Sequence, residues 1–129
     1  GKRFITTIEP KHGSTVVVYL STNSLSWERR VLDESLKDGH ALATGDFLGT
    51  GGDQVVAGWR GMTTRGVPGV RLYVPQNGTY SKWKTYQLSG KETAVEDITA
   101  GDLNGDGKPE IIVACRQTHN LRILWNESK

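Results

Sequence analysis

Five oxygen donors fall within nine consecutive residues near the end of the chain. The run Gly101-Asp102-Leu103-Asn104-Gly105-Asp106-Gly107-Lys108-Pro109-Glu110 puts side-chain oxygens at positions 1, 3, 5 and 9 of a glycine-rich loop, on Asp102, Asn104, Asp106 and Glu110. Position 7, Lys108, can add its backbone carbonyl. A hard cation such as calcium takes about 6–8 oxygens from a flexible loop. Odd-numbered spacing turns alternate residues inward, and the glycines absorb the sharp turn. An EF-hand would need a bidentate Glu at position 12, where this chain has Val113, and an exiting helix. The following Ile111-Ile112-Val113-Ala114-Cys115 reads as a strand. The expectation is a calcium loop between two β-strands, with a metal-free Gly/Asn/Asp turn as the alternative.

A second set of residues could do proton chemistry. His12, His40, Arg60, Arg65, Arg116 and His119 stand in connections between expected strands, with Glu9 close to His12 in sequence. If the strands form propeller blades, these connections open on the face opposite the calcium loop. His12 and His40 would then carry protons while Arg60 holds an oxyanion of a sugar substrate. Glu9, His12 and His40 could instead bind a second divalent ion. The alternative is that each is a solvated loop residue. Trp27, Trp59, Trp83 and Trp125 are expected to pack between blades rather than to serve as sugar platforms.

The calcium loop has a degraded twin 56 positions earlier (46 against 102), aligned without a gap. Gly45-Asp46-Phe47-Leu48-Gly49-Thr50-Gly51-Gly52-Asp53-Gln54 keeps the first aspartate and the glycines. It replaces Asn104 by Leu48, Asp106 by Thr50 and Glu110 by Gln54. With one carboxylate left, it is expected to be a structural turn. A fixed period of this size marks a repeat architecture.

Both loops need strands on either side to hold them. No dozen-residue stretch shows a helical period; short β-rich runs bounded by turn residues recur instead. The pattern predicts ten strands: Arg3–Glu9, Thr15–Leu20, Trp27–Leu32, Ala41–Phe47, Gln54–Trp59, Gly69–Val74, Trp83–Leu88, Glu96–Leu103, Glu110–Cys115 and Leu121–Asn126. Calling the strand before the loop A and the one after it B, the order is BCD, ABCD, ABC. The expected fold is therefore all-β, with blades of four antiparallel strands and about two and a half blades in this chain. A partial blade over 1–38, a complete blade over 39–90 and a partial blade over 91–129 would form one propeller segment. Such a segment leaves raw sheet edges. Further blades, from the same or another chain, are its expected partners.

Bulk properties exclude several classes. The chain of 129 residues fits one ordinary domain, and its net charge of +2 is spread without a basic block, which gives no argument for nucleic acid. Runs such as Val16-Val17-Val18-Tyr19-Leu20 are too short for membrane insertion. No signal peptide is visible. The single Cys115 permits no internal disulfide and reads as a small buried hydrophobe. Asn77-Gly78-Thr79 and Asn126-Glu127-Ser128 are glycosylation tripeptides. No nucleophile elbow or phosphate cradle is present.

The unit Gly-Asp-Leu-Asn-Gly-Asp-Gly-Lys-Pro-Glu-Ile-Ile-Val-Ala, followed by Asn120-Leu121-Arg122-Ile123-Leu124-Trp125-Asn126, resembles the FG-GAP/VCBS repeat family. The resemblance implies a calcium-loop β-propeller, with calcium on Asp102, Asn104, Asp106, Lys108 and Glu110, and an extracellular or periplasmic setting. Glu110 stands where the family often has Asp. Ile8-Glu9-Pro10-Lys11-His12-Gly13, Asp38-Gly39-His40-Ala41-Leu42 and Ala57-Gly58-Trp59-Arg60 are also similar to the propeller portion of aldos-2-ulose dehydratase-like proteins. That implies sugar lyase or isomerase chemistry, with His12, His40 and Arg60 as its residues. Three functional readings follow. The first is a calcium-stiffened module that binds a glycan, small sugar or protein. The second is a sugar-processing enzyme built on the His/Arg face. The third is a structural or engineered propeller fragment.

Overall fold

The computed structural model describes residues 2–61 and 66–129. Its ten strands form three antiparallel sheets. Strands β1 (Phe4–Glu9), β2 (Thr15–Ser21) and β3 (Trp27–Asp33) make the first. Strands β4 (Gly39–Gly45), β5 (Gln54–Trp59), β6 (Gly69–Pro75) and β7 (Trp83–Ser89) make the second, in that order. Strands β8 (Val95–Gly101), β9 (Glu110–Cys115) and β10 (Asn120–Leu124) make the third. All ten expected strands are present. The two strands that enter the loops stop earlier than expected, at Gly45 and Gly101. The side chains of Asp46 and Asp102 take up backbone N–H groups of the following turns, which draws the chain out of the ladder.

The middle sheet is buried on both faces at its inner strand β5, while its outer strand β7 is largely exposed. Every residue of β5 is buried, and its side chains alternate between two cores. Val55, Ala57 and Trp59 face the first sheet and join Val16, Val18, Leu20, Leu36, Tyr73 and Tyr80. Val56 faces the third sheet and joins Val70, Leu72, Val95, Ile98, Val113 and Cys115. A strand covered on both sides reads as a continuous apolar run, which is what Val55-Val56-Ala57 shows.

Four register shifts recur at equivalent places. On β4, Gly39 pairs with Trp59 and Ala41 with Gly58, so His40 is an extra residue. On β8, Val95 pairs with Cys115 and Asp97 with Ala114, so Glu96 is the extra one. Leu32 on β3 and Leu88 on β7 are the extra residues of the other two. Each pair is 56 apart in sequence. Bulges of this kind re-aim a side chain out of the alternating pattern.

Polar clamps tie the strands together. Glu9 on β1 accepts hydrogen bonds from Tyr19 Oη on β2 at 2.6 Å and from Arg29 Nη2 on β3 at 2.6 Å. Its carboxyl pKa falls from 4.5 to about 2, through the Tyr19 hydroxyl first and Arg29 and Thr7 after it. Asp33 joins the first sheet to the second, accepting from Tyr73 Oη and Arg71 Nη1, each at 2.8 Å. Burial raises the Asp33 pKa, but bonds from Ser35, Tyr73 and Arg71 together outweigh it, and the net shift is downward.

Two of the four tryptophans depart from the packing expectation. Trp59 is buried, donates to the Val67 carbonyl at 2.7 Å and carries the Arg71 guanidinium 4.5 Å above its ring. Trp83 packs edge-on against Phe4 and Tyr80. Trp27 and Trp125 are 45% and 56% exposed. They sit at the start of edge strand β3 and just beyond β10, where no further strand among the described residues pairs with that edge.

Two predictions follow from the clamps. Because the folded pKa of Glu9 is depressed, its stabilising effect is present above pH 4.5 and is lost as pH falls from 4.5 towards about 2. Denaturant unfolding measured across that window should fall less steeply for Glu9→Gln than for the native chain; equal slopes would rule the clamp out. Tyr73→Phe should cost about 1–2 kcal/mol, since it removes a hydrogen bond to a charged acceptor at the sheet–sheet junction. Thermal melts of the two proteins measure this.

Candidate functional site

The 102–110 loop is organised around its first aspartate. Asp102 Oδ1 accepts from the N–H of Gly105 at 2.8 Å and of Asp106 at 3.2 Å, and Oδ2 from Gly107 at 2.8 Å. These bonds, with that of Gly107 the largest, hold its carboxyl below the usual carboxylate range. Asn104 Oδ1 accepts from Asp106 N–H and Asp106 Oδ1 from Lys108 N–H. Gly105 and Gly107 have φ of 78° and 82°, a left-handed backbone that glycine adopts without a Cβ clash. Lys108 Nζ donates to the Ser128 carbonyl. Asn126 Nδ2 donates to the carbonyls of Pro109 and Phe47, so the last residues brace both loops at once.

Glu110 is the unusual member. It is fully buried, although it is ionisable. Oε2 accepts from Leu103 N–H at 2.8 Å, while the buried Oε1 has no partner. A buried polar atom without a hydrogen bond is costly and rare. Asp102, Asn104, Asp106 and Glu110 are hard oxygen donors, the residue types that a cation such as calcium takes. Among the described residues no three His, Cys, Asp or Glu side chains close around a single point, Asp102, Asp106 and Glu110 included. Their carboxylates are held by backbone N–H groups instead.

The second constellation lies around a cavity of about 670 Å³ lined by Lys11, His12, His40, Arg60, Glu96 and Arg116, with apolar residues beneath. His12 comes from the β1–β2 turn, where Gly13 donates to the Pro10 carbonyl. A Cβ on Gly13 would collide with the Glu9 and Pro10 backbone, so only glycine lets the turn close this tightly. His40 and Glu96 are the two bulged residues, and the bulges turn both into the same cavity. The His12 and His40 rings meet edge to face, with centroids 4.6 Å apart. His12 Nδ1 lies 3.2 Å from Asp38 Oδ1, and His40 Nε2 lies 3.6 Å from Glu96 Oε2. Arg60 links the two carboxylates: Nε donates to Asp38 at 2.7 Å and Nη1 to Glu96 at 3.0 Å. The Asp38 bond leads in raising the Arg60 pKa. His12 and Asp38 both hold positive φ, 59° and 55°. Non-glycine residues in that region are strained and concentrate at functional sites.

The structure thus brings His12, His40 and Arg60 together, with Arg116 beside them. Arg60 gives two of its donors to the carboxylates of Asp38 and Glu96. Glu9 is not with the histidines; its carboxylate is held in the Tyr19–Arg29 clamp. His119 is exposed and does not line the cavity. Arg65 lies outside the described residues. Sequence reasoning missed Asp38 and Glu96. The 56-residue spacing of Glu96 from His40, equal to that of Arg116 from Arg60, was a signal that could have found it.

The family model for the FG-GAP-like repeat matches residues 46–113, more than half of the chain. The match runs from the first aspartate of the twin loop through β5, β6, β7, β8 and the 102–110 loop into β9. No curated protein and no solved structure matches the chain. With its all-β sheets and its two aspartate-headed loops 56 residues apart, the chain belongs to the FG-GAP-like repeat family.

Proposed function

We propose that this chain is a calcium-binding propeller module of the FG-GAP/VCBS type that recognises a glycan, another small ligand or a protein. Residues 1–38, 39–90 and 91–129 then form a partial, a complete and a partial blade of a larger ring. The observation that carries this reading is Glu110: a fully buried carboxylate with one oxygen unpartnered, at the ninth position of a loop otherwise built from Asp102, Asn104 and Asp106. Asp102, Asn104, Asp106 and Glu110 would hold calcium through side-chain oxygens and Lys108 through its carbonyl. When bound, calcium supplies the positive charge that a buried carboxylate needs. The residues' own work is to hold the turn. Asp102 gathers the N–H groups of the loop, and Pro109 and Asn126 fasten its exit. The open outer edge at β10, with Leu121 and Trp125 exposed, supports further blades as partners.

The pairing of His12 with His40 favours a second reading, a sugar lyase or isomerase like the aldos-2-ulose dehydratases. Two imidazoles each backed by a carboxylate, with Lys11 and Arg116 at the wall, could move a proton at a carbon beside a carbonyl.

Calcium at a hundredfold excess over its dissociation constant should add about 2.7 kcal/mol, worth roughly 10 °C in melting temperature for a chain of this size. Differential scanning calorimetry with calcium and with a chelator measures it, and Asp106→Ala should abolish the difference. A variant that responds as the native chain does would show that this loop holds no calcium. Light scattering after size exclusion, run under the same two conditions, reports whether chains assemble through calcium. The second reading predicts that His12→Ala and His40→Ala each remove turnover of an aldos-2-ulose while leaving the melting temperature within a few degrees. Absence of turnover by the native chain would end it.

A further inference from the structure

Gln54 occupies position 9 of the first loop, where the second loop has Glu110. The two loops share one backbone. Positions 4 and 6 have positive φ in both, 64° and 79° at Gly49 and Gly51, 78° and 82° at Gly105 and Gly107. In both, the position-1 aspartate accepts the N–H groups of positions 5 and 6. In both, position 9 is buried and spends one oxygen on a loop N–H: Gln54 Oε1 on Leu48, Glu110 Oε2 on Leu103.

Gln54 takes the N–H of position 3 and Glu110 that of position 2, and the remaining terminal atom differs more. Glu110 Oε1 has no partner. Gln54 Nε2 donates to the Gly52 carbonyl at 2.6 Å and to Thr50 Oγ1 at 3.1 Å, and lies 3.5 Å from Asp46 Oδ1. Gly52, Thr50 and Asp46 are positions 7, 5 and 1 of the loop. They match Lys108, Asp106 and Asp102, the residues that would turn oxygens towards a cation in the second loop. An amide NH2 has two donors and no acceptor role at its nitrogen. It can therefore satisfy converging oxygens as a cation does, without carrying a full charge.

We propose that position 9 decides ion occupancy in these loops, and that the Gln54 side-chain nitrogen fills the cation's place in residues 46–54. That loop is then closed by the chain itself and independent of metal, whereas Glu110 leaves its own loop dependent on one. The half of the inference that concerns Glu110 rests on the calcium reading above; the half that concerns Gln54 does not. The consequence is a module with one loop always set and one set by calcium, so that removing calcium loosens one side of the repeat only. The absence of two carboxylates from the first loop is accordingly compensated: Thr50 and Gln54 stand where Asp106 and Glu110 stand in the second, and anionic side chains there would have no cation to meet.

The test uses the intact chain labelled with ¹⁵N. The Gln54 side-chain NH2 protons should exchange with solvent about tenfold or more slowly than those of exposed Gln76, and neither calcium nor chelator should change this. Exchange at the rate of Gln76 overturns the inference. The loop is then converted by Thr50→Asp with Gln54→Glu, and isothermal titration should count one more calcium per chain than in the native protein; an unchanged count also overturns it. If the double variant folds only in calcium, that supports the inference, and if it folds in neither condition the exchange measurement decides alone. In the opposite direction, Glu110→Gln should remove the calcium response of the second loop without lowering the melting temperature in chelator. Failure of the native chain to bind calcium would defeat the calcium reading while leaving the protected Gln54 amide standing.

Discussion

Everything in this chain hangs on a strand that has no outward face. All of β5 is buried, so its side chains must supply core to both neighbouring sheets. Val55, Ala57 and Trp59 commit to one side and Val56 to the other. Because the strand's side-chain period is two, a one-residue slip would exchange the two cores and misplace Gln54 and Trp59 together. The register of the middle sheet is thereby fixed. It fixes in turn where the loop before β5 and the bulge on β4 can lie. The close packing of β4 beside β8 then brings His40 and Glu96 to one cavity.

The repeat acts on the two candidate sites in different ways. At the loops it copies a backbone and varies its filling. The glycines and the position-1 aspartate are kept, and the chemistry changes at positions 3, 5 and 9. At the cavity it copies a bulge and varies its side chain. His40 and Glu96 occupy the same structural position in successive units, so a device that would place two like groups places a base and an acid. Arg60 and Arg116 are likewise equivalent, yet Arg60 is tied between Asp38 and Glu96.

A buried carboxylate and a strained histidine turn share one physical feature. Each is a local cost that the surrounding framework must sustain. Glu110 is fully buried at the start of β9, and one of its oxygens goes without a donor. His12 and Asp38 hold left-handed backbones on two different connections, and their side chains meet at 3.2 Å. Neither cost is visible in local propensity, and both arise where elements distant in sequence converge.

The sequence by itself determined the strands, their repeat and the loops, because each is written in local terms. Short β-rich runs between turn residues mark all ten strands, and Asp-x-Asn-x-Asp-Gly marks the loop through spacing alone. It also grouped His12, His40 and Arg60 on one face, since loops at the same end of repeated units share a side. Tertiary structure decided the rest. Glu9 sits three residues from His12, yet pairing with β2 and β3 carries its carboxylate to Tyr19 and Arg29. Glu96 enters the cavity only because its bulge and the packing of β4 beside β8 turn it there, and Asp38 joins through its contacts with His12 and Arg60. Trp27 and Trp125 remain exposed because burial depends on which strand lies outermost, a property of the sheet and not of the residue. The contrast between Gln54 and Glu110 reads in sequence as a lost ligand. Only the folded loop shows that the amide nitrogen meets the oxygens of positions 1, 5 and 7, because that convergence is made by backbone curvature and has no signature in spacing.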